Sequence, residues 1–180
     1  MDIEGIYGRW YGGNEELGEL LRVHSRCVAA KALECIRRRG LVVDVDFVRE
    51  AAMLHDIGIF LADAPGIHCH GSEPYIRHGV LGRELLDSIG LPRHALVCER
   101  HTGAGITIAD IRSQQLPLPL RDMTPQSPEE KIICYADKFF SKSGNPREEK
   151  SLERIMASMA KHGPETLARF EALHNEFGCV

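Results

Sequence analysis

The chain has 180 residues, 43% hydrophobic and 27% charged, which suits one globular domain of ordinary composition. Its formal charge of −4 argues against nucleic acid held by bulk electrostatics, because such domains carry a basic face. No apolar run reaches the roughly 18 residues of a membrane span, and Met1-Asp2-Ile3-Glu4-Gly5 lacks a signal peptide's basic and apolar regions. The cytoplasm is the expected address, with no membrane and no nucleic acid as partner.

Helical periodicity dominates along the chain. Between Glu15 and Arg39, Leu17, Leu20, Leu21, Val28, Ala32 and Ile36 recur at three- and four-residue steps, and Gly40 supplies a stop. Asp44 caps a second helix with Phe47, Val48, Ala51, Ala52 and Leu54 on its apolar face, running into His55-Asp56-Ile57-Gly58. Residues 59 to 74 hold Pro65, Gly66, Gly71 and Pro74 and read as a loop. A third helix covers about 75 to 89, and Pro92 opens a fourth that reaches His101. The stretch 103 to 128, with Pro117, Pro119, Pro125 and Pro128, is the longest irregular segment. Ser127-Pro128-Glu129-Glu130 starts a fifth helix through Phe139, and two more follow at about 147 to 162 and 164 to 177. Leu41-Val42-Val43 is too short to found a sheet. The expected class is therefore all-α.

Cys27, Cys35, Cys69, Cys98, Cys134 and Cys179 form no C-x-x-C pair and read as small buried hydrophobes. His68-Cys69-His70 could turn two imidazoles to one side of an extended loop, but one short tract favours a surface loop over a metal site. The remaining donors fall into an order. His24 is mid-helix, His55 and Asp56 are adjacent where the second helix ends, His78 opens the third, His101 closes the fourth and Asp137 lies in the fifth. Six nitrogen and oxygen donors from five helices are what a pair of divalent transition-metal ions requires. The donor types admit iron, manganese, nickel or zinc.

His24, His55-Asp56 and Asp137 resemble the H…HD…D signature of the HD-domain phosphohydrolases, and His55-Asp56-Ile57-Gly58 is similar to the family's HDIG variant. The flanks agree: Leu21-Arg22-Val23 before His24, Ala51-Ala52-Met53-Leu54 before the pair, Tyr135-Ala136 and Lys138 around Asp137. His78-Gly79 and His101-Thr102-Gly103 sit where two-metal members place extra histidines, a layout similar to the small bacterial diadenosine-tetraphosphate hydrolases of symmetrical cleavage. The resemblance implies a single-domain HD-domain helical bundle, with its core at about 15–142 and C-terminal helices at about 147–177. It implies that His24, His55, Asp56 and Asp137 hold a first metal, iron foremost, and that Asp56 bridges to a second completed by His78 and His101. His55 and Asp56 would be catalytic, and a hydroxide between the ions would attack the phosphate of a small molecule such as a nucleotide.

Many relatives carry a Lys shortly after the HD pair, where this chain has Ile59-Phe60. The cation meeting phosphate must come from elsewhere: Arg77, Arg100 and Lys138 are the substrate-binding candidates, with Arg22 and Arg121 behind them. The cyclic-di-nucleotide phosphodiesterase branch, with paired histidines and a GYP motif, is a poorer match at Arg100-His101 and Gly103-Ala104-Gly105-Ile106. Glu73 reads as a loop acid before a general base. His94, His162 and His174 read as solvated, Arg147-Glu148-Glu149-Lys150 as a solvated helix start, and Arg37-Arg38-Arg39 as a helix end that favours the dipole. A non-catalytic sensor or adaptor keeping the fold and a metal-organised pocket is the alternative to an enzyme.

Overall fold

Side-chain caps set most of the helix boundaries in the computed structural model, which describes residues 1–178. Cys179 lies outside the described residues. Helices α1 (Ile3–Tyr11), α2 (Glu15–Arg39) and α3 (Val45–Leu54) come first, followed by α4 (His78–Ser88) and α5 (Pro92–Arg100). Then come α6 (Ile108–Ser113), α7 (Pro128–Asp137), α8 (Leu152–Ala160) and α9 (Pro164–Phe177). Asn14, Asp44, Ser127 and Ser151 each accept a hydrogen bond from the backbone N–H three residues on, satisfying a donor that the helix itself leaves free. At the far end of α2, Gly40 takes a left-handed φ of 62° and returns its N–H to the Ile36 carbonyl.

The long helix α2 is the spine. Its Val28, Ala32 and Ile36 pack with Phe47, Val48 and Ala51 of α3, Ile132 and Ile133 of α7, and Phe170 and Phe177 of α9. A second cluster joins Tyr7 and Tyr11 of α1 to Leu17 and Leu21 of α2, Leu54, Ile57 and Leu86. A third holds Val80, Ile106, Ile111 and Met123 beneath the 103–128 segment. The all-α class holds, and among the described residues no helix is long and apolar enough to cross a membrane.

Four local expectations need correction. The expected helices begin at Glu15, yet α1 precedes them, with Ile3, Ile6, Tyr7, Trp10 and Tyr11 packed into the core. Residues 59 to 74 are more ordered than a loop. Strands β1 (Asp63–Ala64) and β2 (Cys69–His70) pair antiparallel, joined by a 3-10 turn at Pro65–Ile67 and preceded by another at Ile59–Leu61, which satisfies main-chain groups around the buried Cys69. Within 103–128, Thr107 and Asp110 form a reciprocal capping box that starts α6. Helix α8 begins at Leu152 rather than near 147, because Ser151 is its cap. Upstream of that cap, Glu149 reaches Lys31 at 2.5 Å and the Lys150 N–H reaches the Phe139 carbonyl.

One contact ties the His55–Asp56 turn to α4. A Cβ on Gly58 would lie 2.4 Å from both the Gly82 nitrogen and the His78 carbonyl oxygen, so only glycine permits that approach.

Candidate metal centre

All six expected donors converge on one buried pocket. His24, His55 and Asp56 are fully buried, and His78, His101 and Asp137 nearly so. His24 comes from the middle of α2, His55 and Asp56 from the turn closing α3, His78 from the first residue of α4, His101 from the residue after α5, and Asp137 from the last residue of α7. Adjacent His and Asp can enter one pocket only because the helix stops at Leu54.

The donors fall into two groups that share Asp56. His24, His55, Asp56 and Asp137 form one, and Asp56, His78 and His101 the other; within each, the ligand atoms all lie within 4.8 Å of one another. His24 Nε2 is 3.0 Å from Asp137 Oδ1 and 3.2 Å from Asp56 Oδ2, and His55 Nε2 is 3.1 Å from the same Asp56 oxygen. Across the pocket, His78 and His101 Nε2 stand 3.4 and 3.3 Å from Asp56 Oδ1.

The tautomers follow from the backbone. His55, His78 and His101 each place Nδ1 2.7–2.8 Å from the carbonyl three residues back, at Ala52, Tyr75 and Cys98. A carbonyl can only accept, so each Nδ1 carries the proton and each Nε2 of a neutral ring offers a lone pair to the pocket. His78 Nε2 and His101 Nε2 then oppose two lone pairs at 3.1 Å, an arrangement that calls for a cation between them. Asp56 Oδ1 is buried and makes no hydrogen bond of ordinary geometry, facing only the Nε2 atoms of His78 and His101. This set of imidazole and carboxylate donors fits divalent metal ions.

The charges agree with the geometry. Burial opposes ionisation of Asp56, but Lys142, then His55, His101 and His24, hold its carboxyl well below the usual carboxylate range. Asp137 is likewise depressed against burial, by Lys138, His24 and His55. Burial lowers the pKa of His55, yet Asp56 and Asp137 outweigh it and lift the value to about 9, so without an ion Nε2 carries a proton towards the two carboxylates, in the place a bound metal ion would take. Burial dominates at His78, which falls to about 3, and at His101, which is also lowered, so both rings are neutral at pH 7.

Two lysines meet the carboxylates. Lys138 Nζ lies 2.6 Å from Asp137 Oδ2 and donates to the His101 carbonyl, and Lys142 Nζ lies 2.6 Å from Asp56 Oδ2. Lys142 was not among the expected residues. It sits in the turn beyond α7, away from every motif, and its only sequence signal is a position five residues after Asp137. A cleft of about 780 Å³ opens beside this pocket, lined by Asp137, Lys138, Lys142 and Tyr75 on one side and by α8 on the other. Tyr75 stacks on His78 at 4.7 Å.

Of the expected phosphate-binding cations, Lys138 lines the cleft and Arg77 and Arg100 do not. Arg77 pairs with Glu73 at 2.9 Å, which also occupies the candidate loop acid, and Arg100 holds both oxygens of Glu130. Arg22 pairs with Glu4 and lies over the Tyr7 ring, and Arg121 joins Arg83 on the buried Glu99. His94 is buried rather than solvated, edge-on to Phe47, because α5 packs against α3. His174 shares a hydrogen bond with Tyr135 Oη and is partly buried, whereas His162 is exposed at the cleft. His68 and His70 are exposed, with Cys69 buried between them, and the trio forms no donor cluster among the described residues.

Fold and pocket together define a class: an all-α protein whose helices deliver a buried His/Asp cluster fit for metal ions. A family model for the HD domain matches residues 22–141, and the chain belongs to the HD domain family. It is 33% identical over 157 residues to an uncharacterized protein of Methanocaldococcus jannaschii, MJ0778, covering 85% of each chain. It is 35% identical over 115 residues to a tRNA (cytidine(56)-2'-O)-methyltransferase of Picrophilus torridus, and 31% over 139 residues to the enzyme of the same name from Thermoplasma volcanium. These two matches cover 63% and 76% of this chain but only 28% and 36% of the methyltransferases. No solved structure matches the chain significantly.

Proposed function

We propose that this chain is a metal-dependent phosphohydrolase that cleaves a phosphoester or phosphoanhydride in a phosphorylated small molecule such as a nucleotide. The observation that carries the reading is the convergence of two donor groups on the shared, buried Asp56. In this reading His24, His55, Asp56 and Asp137 hold one ion and Asp56, His78 and His101 a second, with iron first and manganese, nickel or zinc as alternatives on such a donor set. Bound ions would supply a water of lowered pKa and neutralise phosphate charge.

The chain's own residues do the rest. The backbone bonds from Nδ1 keep three imidazoles aimed, and Asp56 holds the two groups in register. Lys138 and Lys142 stand between the pocket and the cleft, placed to meet phosphate oxygens that approach from it. Tyr75 covers His78 and limits water on that side. The HD core and the helices after it act as one unit, because the cleft is lined from both.

Purified protein loaded under anaerobic, metal-replete conditions should contain about two transition-metal ions per chain and turn over an aryl phosphate or members of a nucleotide panel. The panel includes dinucleoside polyphosphates, for the similarity in layout, and short RNA, for the names of two relatives. Protein that binds no metal under those conditions overturns the reading. A chain that binds metal but is inactive on the whole panel points to the adaptor instead.

A further inference from the structure

We propose that Lys150, Arg154 and Lys161 form a second anion subsite in the cleft, so that the ligand carries a phosphate or similar oxyanion remote from the one presented to the His/Asp centre. The identity of the first group rests on the hydrolase reading; the second subsite does not.

The cleft gathers five basic side chains, Lys138, Lys142, Lys150, Arg154 and Lys161, against Asp137 as its only lining carboxylate among the described residues. Lys138 and Lys142 are neutralised by Asp137 and Asp56. The other three have no carboxylate within ion-pair distance among the described residues, and the neighbouring Glu149 is turned to Lys31. Partly buried arginines elsewhere are paired: Arg83 on Glu99, Arg100 on Glu130, Arg169 on Asp110. An unpaired cluster in a chain of net charge −4 is a local field that favours an anion.

Helix geometry aims the cluster. Ile155 and Met159 are buried in the core, which fixes how α8 is turned. Arg154, Ser158 and Lys161 follow at i, i+4 and i+7 on the cleft face, and the small Ala157 and Ser158 between the cations leave room for a ligand. Lys150 approaches from the preceding turn and is partly buried. Burial, then Lys138, Lys142 and Arg154, push its ammonium below the usual lysine range, against Asp137. Like charges held this close are a standing repulsion that a bound oxyanion relieves. The volume of about 780 Å³ suits a small molecule, and the enclosure of Lys150, Arg154 and Lys161 in one concave cleft favours that over an extended nucleic-acid face.

The test is calorimetric binding to the full, metal-loaded chain, with non-hydrolysable probes. A series of α,ω-alkanediphosphonates of three to six carbons is compared with the matching alkylphosphonates. One chain length should bind about tenfold tighter than its monophosphonate, as expected for charge-assisted contacts to a second group. The Arg154→Gln/Lys161→Gln double variant should lose that gain while keeping its monophosphonate affinity, metal content and melting temperature. Lys150→Gln should lose part of it. A gain that never appears, or survives in the double variant, overturns the subsite. If the chain proves metal-free and inactive while the gain appears and is lost in the variant, the subsite stands and the hydrolase reading falls. An oligoribonucleotide that binds tighter than every diphosphonate, and needs the same residues, overturns the small-molecule form of the proposal.

Discussion

The two donor groups meet at Asp56 but balance their charge in different ways. The group of His24, His55, Asp56 and Asp137 holds two carboxylates, and the protein answers them with its own cations, Lys138 and Lys142. The group of His78 and His101 has only a share of Asp56 and opposes two lone pairs with nothing of its own between them. The first group can be electrically content with protein atoms alone, whereas the second is arranged for a guest cation. Completeness of a ligand set is thus a different property from readiness to bind, and the two need separate measurements.

The largest effect should come from Asp56→Asn, which strikes both groups. Elemental analysis should find both ions lost, with kcat/KM on the best substrate down about a thousandfold. Gly58→Ala should follow. Its methyl group meets backbone of α4 on two sides, so the groups lose register at a cost of about 1–3 kcal/mol in urea unfolding. His78→Ala and His24→Ala sharpen the comparison. Each should remove one ion per chain and leave the other, and loss of both ions from either variant would merge the groups into one cooperative site. Tyr11→Phe removes the hydroxyl that donates at 2.7 Å to the Ile57 carbonyl beside Asp56, and should cost about 1–2 kcal/mol with a modest loss of metal affinity.

The smallest effect is a control outside both groups. Against burial, Asp110 is held below the usual carboxylate range by the Thr107 backbone and hydroxyl and by Arg169. A depressed folded pKa adds stability above the unfolded value of about 3.9, and that stability is lost as pH falls through the folded pKa. Urea midpoints of wild type and Asp110→Asn should therefore differ at neutral pH and converge below about pH 4.

The pocket is legible in the sequence because five of its six donors, all but His24, lie at helix ends, and helix ends announce themselves. Gly58 follows His55-Asp56, Pro92 opens the helix that stops at His101, and Ser127-Pro128 sets the helix that delivers Asp137. Lys142 was not readable, since a lone lysine in a turn has no periodicity to mark it. Arg77 and Arg100 show the opposite case: they lie next to donor histidines in sequence, but the structure turns them to Glu73 and Glu130. Helix α1 had a signal in the spacing of Ile3, Tyr7 and Trp10, yet its role depends on Tyr7 and Tyr11 reaching carbonyls 46 residues away. The small β1–β2 hairpin is a tertiary product, too short for propensity to declare.

Three of the metal-centre histidines are oriented by main chain rather than by side chains. The residues that supply those carbonyls are Ala52, Tyr75 and Cys98, which share no chemistry. A carbonyl is present whatever the side chain, so a codon change at any of the three leaves the imidazole anchored. The centre's aim is thus carried by main chain alone, separate from the packing that the side chains at these positions perform: Ala52 and Cys98 are fully buried and Tyr75 stacks on His78.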